Sequence, residues 1–308
     1  MKVSEAGFAK LLGVLRLAGS WLGTLLFRLA QRTADFKFLA GKTLKCINFE
    51  VKYPFSTMLK LAVICCLVLF SCSQPVEDKF RNSTIPTERW AYQMNTGSDS
   101  LGQLYEPEAY LTVQSDRWQL VQGQAEVAAY YLDRNIGPID SLSSAGRVKA
   151  SETIDYEIVR LQGPAKGYVQ LVVWKRDGSA ARRQLEVLAE AGAVQSGWRP
   201  EIDSARKEWM KFCNSHDPAR LVSEVYTADA LYYNHKPMVV GTTAITREYG
   251  YMADAEYKLS LSPLAVEPVS STLVFEIGQC SGSYGGKYML VWMKNGDGRW
   301  QVQLDSNI

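Results

Sequence analysis

The chain has 308 residues, 47% of them hydrophobic and 21% charged, with 34 Lys and Arg against 32 Asp and Glu. That is a globular composition, long enough for two cores, and it excludes a disordered or fibrous protein. Two histidines and no Cys-x-x-Cys give no metal-ligand spacing, so neither a metal nor a cofactor is expected.

Residues 1–57 are basic, with an apolar stretch broken by Arg16 and Arg28; they read as an over-extended N-terminus absent from the native protein. Met58-Leu59-Lys60 then opens an apolar run from Leu61 to Phe70. The run is too short to span a bilayer as a helix and suits a secretory signal over 58–71. Leu69-Phe70-Ser71-Cys72 resembles the bacterial lipobox, which implies lipidation at Cys72, a membrane partner through the lipid, and a place in the bacterial cell envelope. Ser73 after the cysteine, where Asp would retain the protein, points to the outer membrane. From Cys72 on, 24 Lys and Arg stand against 29 Asp and Glu, a net charge of −5, so no nucleic-acid partner is expected. Residues 72–85 are polar and form a tether. Cys213 and Cys280, the two cysteines left in the body, read as free thiols.

In the body, Pro86 starts a helix carrying Trp90 and Met94, with Gly97 just past its end and Asp99 as cap of a second helix through Leu101 and Leu104. A strand over 109–113 follows, then a third helix after Gly123. The spacing then changes to two, with strands over 168–175 and 183–188 joined at Asp177-Gly178. Residues 192–199 link to a second pass. There Ile202, Ala205, Trp209, Phe212 and Cys213 share a helix face, and Asp217-Pro218 starts the next helix. A strand over 230–233, a helix after Gly241, and strands over 273–277, 288–292 and 299–304 complete it, the last two joined at Asn295-Gly296-Asp297-Gly298.

The two passes are one pattern written twice. Trp90, Asn95, Asp99, Leu101, Tyr105, Ala109, Gly123, Val127 and Tyr130 meet Trp209, Asn214, Asp217, Leu221, Tyr226, Ala230, Gly241, Ile245 and Tyr249 in order. A period of about 110 to 120 residues is domain-sized. The expected fold is α+β, as two tandem cone-shaped domains over 86–191 and 200–308. Each has three helices packed in a strongly curved mixed or antiparallel sheet. Joined copies of this kind are expected to pair as an intramolecular pseudo-dimer.

This element order, with the helix Trp, the Asn-x-x-Asp step of the second pass and the Tyr-x-x-x-Ala entry to a strand, resembles the nuclear transport factor 2-like superfamily, nearest its SnoaL-like and ketosteroid isomerase-like domains. The resemblance implies a deep, mostly apolar pocket, used by some members for catalysis and by others for binding. The isomerase base position falls on Val113 and Asn234, the helix tyrosine on Trp90 and Trp209, and the second donor near Val172 and Leu290. None of these supplies that chemistry, so the chain reads as more a binder than an enzyme.

Trp209, Tyr226, Tyr233, Asn234, Tyr249, Tyr288 and Trp292 are the candidate ligand-binding residues of the second copy. His235 and Asp305 are the catalytic candidates of the alternative reading, an isomerase, cyclase or hydrolase. Phe275 and Trp300 read as pocket or core, and the first copy's aromatics, Tyr110 and Tyr156 among them, as packing or interface. Glu157 and Glu276, opposite in phase to Tyr156/Ile158 and Phe275/Ile277, are expected at solvent or between the copies. The ligand would be a small apolar molecule or an envelope protein, and a pure assembly module is the third alternative.

Overall fold

The structure, a computed structural model, describes residues 80–307 apart from 116, 135, 137, 235 and 236. These lie in one compact unit, Ser73–Ile308. The expectations for residues 1–57, for the signal segment and for Cys72 fall outside the described residues.

Both passes fold as α+β units with the same topology. In the first copy, α1 (Pro86–Thr96), a 3-10 turn (Asp99–Leu104), β1 (Tyr105–Val113), β2 (Gln119–Gln122) and α2 (Gln124–Arg134) precede β3 (Ser141–Lys149), β4 (Ile154–Gln162), β5 (Gly167–Asp177) and β6 (Ala180–Glu190). In the second, α3 (Trp198–Cys213), α4 (Pro218–Val225), β7 (Tyr226–Tyr233), β8 (Val239–Val240), α5 (Thr242–Glu248) and a 3-10 turn (Tyr249–Ala253) precede β9 (Leu259–Ser270), β10 (Leu273–Gly282), β11 (Gly286–Lys294) and β12 (Trp300–Asn307). The sheets run β2-β1-β6-β5-β4-β3 and β8-β7-β12-β11-β10-β9. Each is open and mixed: β1 pairs parallel with β6 and β7 with β12, and the other pairings are antiparallel.

Local chemistry sets the boundaries. Gly97, at φ 60°, ends α1 by donating its N–H to the carbonyl of Met94, a left-handed position that glycine takes without strain. Asp217 caps α4 by accepting from the N–H of Arg220 at 3.0 Å, with Pro218 in its first turn. The second helix of the first copy is a 3-10 turn rather than an α-helix, and Ser98, not Asp99, caps it. Asn95 and Asn214 hold equivalent clamps. Asn95 exchanges hydrogen bonds with the backbone of Ile139 at 2.6 and 3.0 Å, and Asn214 does so with Leu259 at 2.8 and 3.0 Å.

Three cores result. One lies between the helices and sheet of the first copy, around Trp90, Leu101, Tyr105, Val127 and Tyr131. A second occupies the same place in the second copy, around Trp209, Leu221, Tyr226, Ile245, Tyr249 and Trp292. The third joins the other faces of the two sheets: Tyr156, Ile158, Leu171 and Val187 from one, and Leu273, Phe275, Ile277 and Val291 from the other. Arg160 and Glu267 bridge the copies through a bidentate pair at 2.6 and 2.7 Å.

This third core corrects one expectation. With Tyr156/Ile158 and Phe275/Ile277 turned toward the other copy, Glu157 (4% exposed) and Glu276 (0%) point into their own copies, neither to solvent nor to the contact. Both are hydrogen-bonded there, as burial of a carboxylate requires. Glu157 accepts from Trp174 and Thr87, and Glu276 from Trp292, Tyr288 and the Nε and Nη2 of the Arg206 guanidinium.

Candidate functional site

The helix-facing side of the second sheet leaves a cavity of about 260 Å³. Its inner wall is Trp209 from α3, Tyr249 from the 3-10 turn, Tyr288 from β11 and Asp305 from β12. Tyr232, Met252, Leu261 and Cys280 form its sides, and Tyr251, Tyr257 and Tyr284 stand at its mouth. The mouth rings pack edge to face, and Tyr251 and Tyr284 remain 41% and 65% exposed. Gly278, paired across the strands with Tyr288, makes this wall fit: a Cβ there would collide with the Tyr288 ring.

Asp305 is the chemical centre. It is buried, and its Oδ2 accepts from Tyr226 at 3.0 Å and from Tyr249, while the two hydroxyls lie 2.9 Å apart. Burial pushes its carboxyl up to about 6, against the pull of those two hydrogen bonds. Tyr226 and Tyr249 are held neutral: burial, then the Asp305 charge, pushes both phenols well above their ordinary value. A carboxyl poised near neutrality at the base of an aromatic cavity can accept a hydrogen bond or a proton from a bound molecule.

The first copy repeats this constellation with different neighbours. Val172 faces Glu186 across β5 and β6 as Leu290 faces Asp305 across β11 and β12, so Glu186 is the counterpart of Asp305. Glu186 accepts from Tyr105 at 3.0 Å, from Tyr131, and from Gln170 at 2.5 Å. The counterpart of Tyr249 is thus Tyr131, eight residues after the glycine in each copy, and not Tyr130. Arg183 completes the group at 2.6 Å from Glu186, its guanidinium stacked over Trp90 and Trp174 at 4.0 and 4.9 Å. Arg183 and Glu186 are both fully buried, so the space beside this carboxylate is filled by the chain itself.

Of the candidate ligand residues, Trp209, Tyr249 and Tyr288 come together on the cavity, joined there by Asp305, a catalytic candidate. Tyr226 stands behind it, reaching it through Asp305. Trp292 is packed in the core and donates to Glu276. Tyr233 points the other way, into the core between the copies against Tyr110, because it lies one residue out of phase with Tyr232 on β7. Phe275 and Tyr156 lie in that same core. Asn234 follows the end of β7 and does not line the cavity, and His235 lies outside the described residues. The mouth residues Tyr251, Tyr257 and Tyr284 were missed; they sit in turns and at a strand entry, where periodicity gives no signal, though three tyrosines in such segments are a compositional cue. Among the described residues, no cluster of three or more His, Cys, Asp or Glu stands ready for a metal ion, and no helix is long and apolar enough to cross a membrane.

No family model and no curated protein matches the sequence. Among solved structures, the chain is similar to an NTF-2 like protein of unknown function from Shewanella oneidensis MR-1, at 15% identity and a TM-score of 0.33, covering 35% of this chain and 97% of that one. It is also similar to a ketosteroid isomerase-like protein from Erwinia carotovora atroseptica SCRI1043, at 16% identity and a TM-score of 0.32, covering 37% and 96%. An NTF2-like protein of unknown function from Pseudomonas putida KT2440 matches at 15% and 0.32, covering 37% and 88%. Each match has the length of one repeat. The likeness concerns fold and carries nothing about ligand or reaction.

Proposed function

We propose that this pair of nuclear transport factor 2-like folds is a receptor whose second copy binds a small, mainly apolar, ring-bearing molecule, with one polar group of the ligand turned to Asp305. The observation that carries this is the contrast between copies: a cavity of about 260 Å³ ending on Asp305 in one, and a carboxylate already satisfied by Arg183 in the other. The volume lies just below the range of about 300–1,000 Å³ usual for small-molecule sites and suits a compact ligand. The first copy acts as scaffold, covering the outer face of the second sheet, so that the chain works as a monomer. The lipobox-like segment ending at Cys72 supports a lipid anchor in a bacterial envelope, with the outer membrane as its address. Replacing Cys72 by Ser is expected to abolish incorporation of labelled fatty acid; undiminished labelling would rule the anchor out.

Calorimetry of the full protein with 2-phenylethanol tests the pocket. Saturable binding is expected, lost when Leu261 on the cavity wall is replaced by Trp; binding that survives this filling would place the ligand elsewhere. A second reading makes the copy an isomerase, cyclase or hydrolase, favoured by the near-neutral Asp305 carboxyl beside two phenols. In its isomerase form it expects solvent deuterium to exchange into a bound ketone at the carbon next to the carbonyl, and Asp305→Asn to stop that exchange. No exchange above the rate in buffer would remove the isomerase.

A further inference from the structure

Within one chain the same carboxylate position occurs twice, once with a counter-charge and once without. In the first copy the partner that completes Glu186 is a planar organic cation lying on aromatic faces: the Arg183 guanidinium, 2.6 Å from the carboxylate, over Trp90 and Trp174. In the second copy the backbone position of Arg183, opposite Trp174 on β5, is taken by Val302, opposite Trp292 on β11. The position of Gln170, the other nitrogen donor to Glu186, is taken by Tyr288, whose hydroxyl donates to Glu276 instead. Asp305 therefore keeps its two phenol donors and has lost the cation and the amide.

What surrounds it is aromatic. Trp209, Tyr249 and Tyr288 line the inner cavity, and Tyr251, Tyr257 and Tyr284 ring its mouth. Among the described residues that line it there is no lysine, arginine or histidine, and Asp305 is the one formally charged group. A buried carboxylate beside several ring faces attracts a cation twice, through its own charge and through the ring quadrupoles. It repels an anion, and a neutral hydroxyl leaves its charge uncompensated. An inorganic cation fits poorly, because hard metals take six or more oxygen ligands and this wall is largely carbon.

We infer that the second copy's ligand is an organic cation, an ammonium or guanidinium carried on a small ring-bearing body, seated against Asp305 and the tyrosine rim as Arg183 is seated against Glu186 and its two tryptophans. The inference rests on the reading of this cavity as a ligand site and names the polar group that the ligand brings.

The test is calorimetry of the full protein at pH 7.5 with two probes of nearly equal size, 2-phenylethylammonium and 2-phenylethanol. The ammonium is expected to bind at least tenfold more tightly, with the advantage gone in Asp305→Asn and reduced severalfold in Tyr284→Ala, an exposed position whose loss leaves the core intact. Equal or tighter binding of the alcohol to the wild-type protein would overturn the cation and leave the pocket standing. Failure of both probes to bind would remove the pocket and the cation together. The wild-type comparison decides the matter even where Asp305→Asn does not fold.

Discussion

Asp305 is fully buried with two phenols as its hydrogen-bond donors, and burial holds its carboxyl at about 6, above the unfolded value of 3.8. The folded protein therefore binds this proton more tightly than the unfolded chain does. Its contribution to stability is complete below about pH 4 and is lost as the pH rises through about 6. The neighbouring Tyr226 and Tyr232 on β7, Tyr249 and Tyr251 in the turn, Tyr257, Cys213 on α3 and Cys280 on β10 are all pushed up, burial first, and stay neutral over that window. Relative to Asp305→Asn, the wild-type protein is expected to lose about 2 kcal/mol between pH 4 and pH 7, at about 1.36 kcal/mol per pKa unit. Urea unfolding across that range measures it, and a difference that does not change with pH would contradict the burial of the acid. Glu186 has its counter-charge within the chain, in Arg183. Glu186→Gln leaves the Arg183 guanidinium buried without its carboxylate and is expected to cost about 3–5 kcal/mol in urea unfolding. A loss below about 1 kcal/mol would mean that the pair is solvated.

At the scale of elements, the side chains that stop and start segments do the positioning. Asn214 ties the end of α3 to the first residue of β9 with two hydrogen bonds, and so sets the depth of a cavity lined by Trp209 on one and Leu259 and Leu261 on the other. Asn214→Ala is expected to cost about 1–3 kcal/mol and to weaken ligand binding, read by chemical denaturation and calorimetry; an unchanged protein would show the clamp to be incidental. Most elements were legible beforehand, since Gly97, Asp217-Pro218, Gly241 and the Asn295-Gly296 turn mark their ends. The edge strands β2, β3, β8 and β9 were not. β3 is largely exposed and carries Ser143, Ser144 and Gly146, and β9 contains Pro263 and Pro268. Both lie at the ends of their sheets, where proline and small polar residues cost little. Glu157 and Glu276 were misjudged for a related reason: alternation tells that two faces differ, and in a sheet buried on both sides it does not tell which face meets solvent.

Across the whole molecule, the outer faces of both sheets form one core with residues from each copy, so neither sheet is expected to keep its fold alone. Phe275→Asp, at the centre of that core and on the face opposite the cavity, is expected to cost more than about 3 kcal/mol and to lower the stability of both copies in one transition. Two separate transitions would show the copies to be independent. Light scattering is expected to find a monomer, because the surface that would otherwise pair is already covered within the chain. The repeat made the doubling legible in the sequence, and Asp305 was visible as a residue. Its inequality with Glu186 was not, because it depends on Arg183 and Val302, three residues earlier on strands whose register fixes which side chains meet. A crystal structure of the protein soaked with 2-phenylethylammonium tests that inequality. The ammonium nitrogen is expected against Asp305 in the second copy, with Arg183 still seated on Glu186 in the first. A ligand bound equally in both copies, or in the first alone, would contradict it.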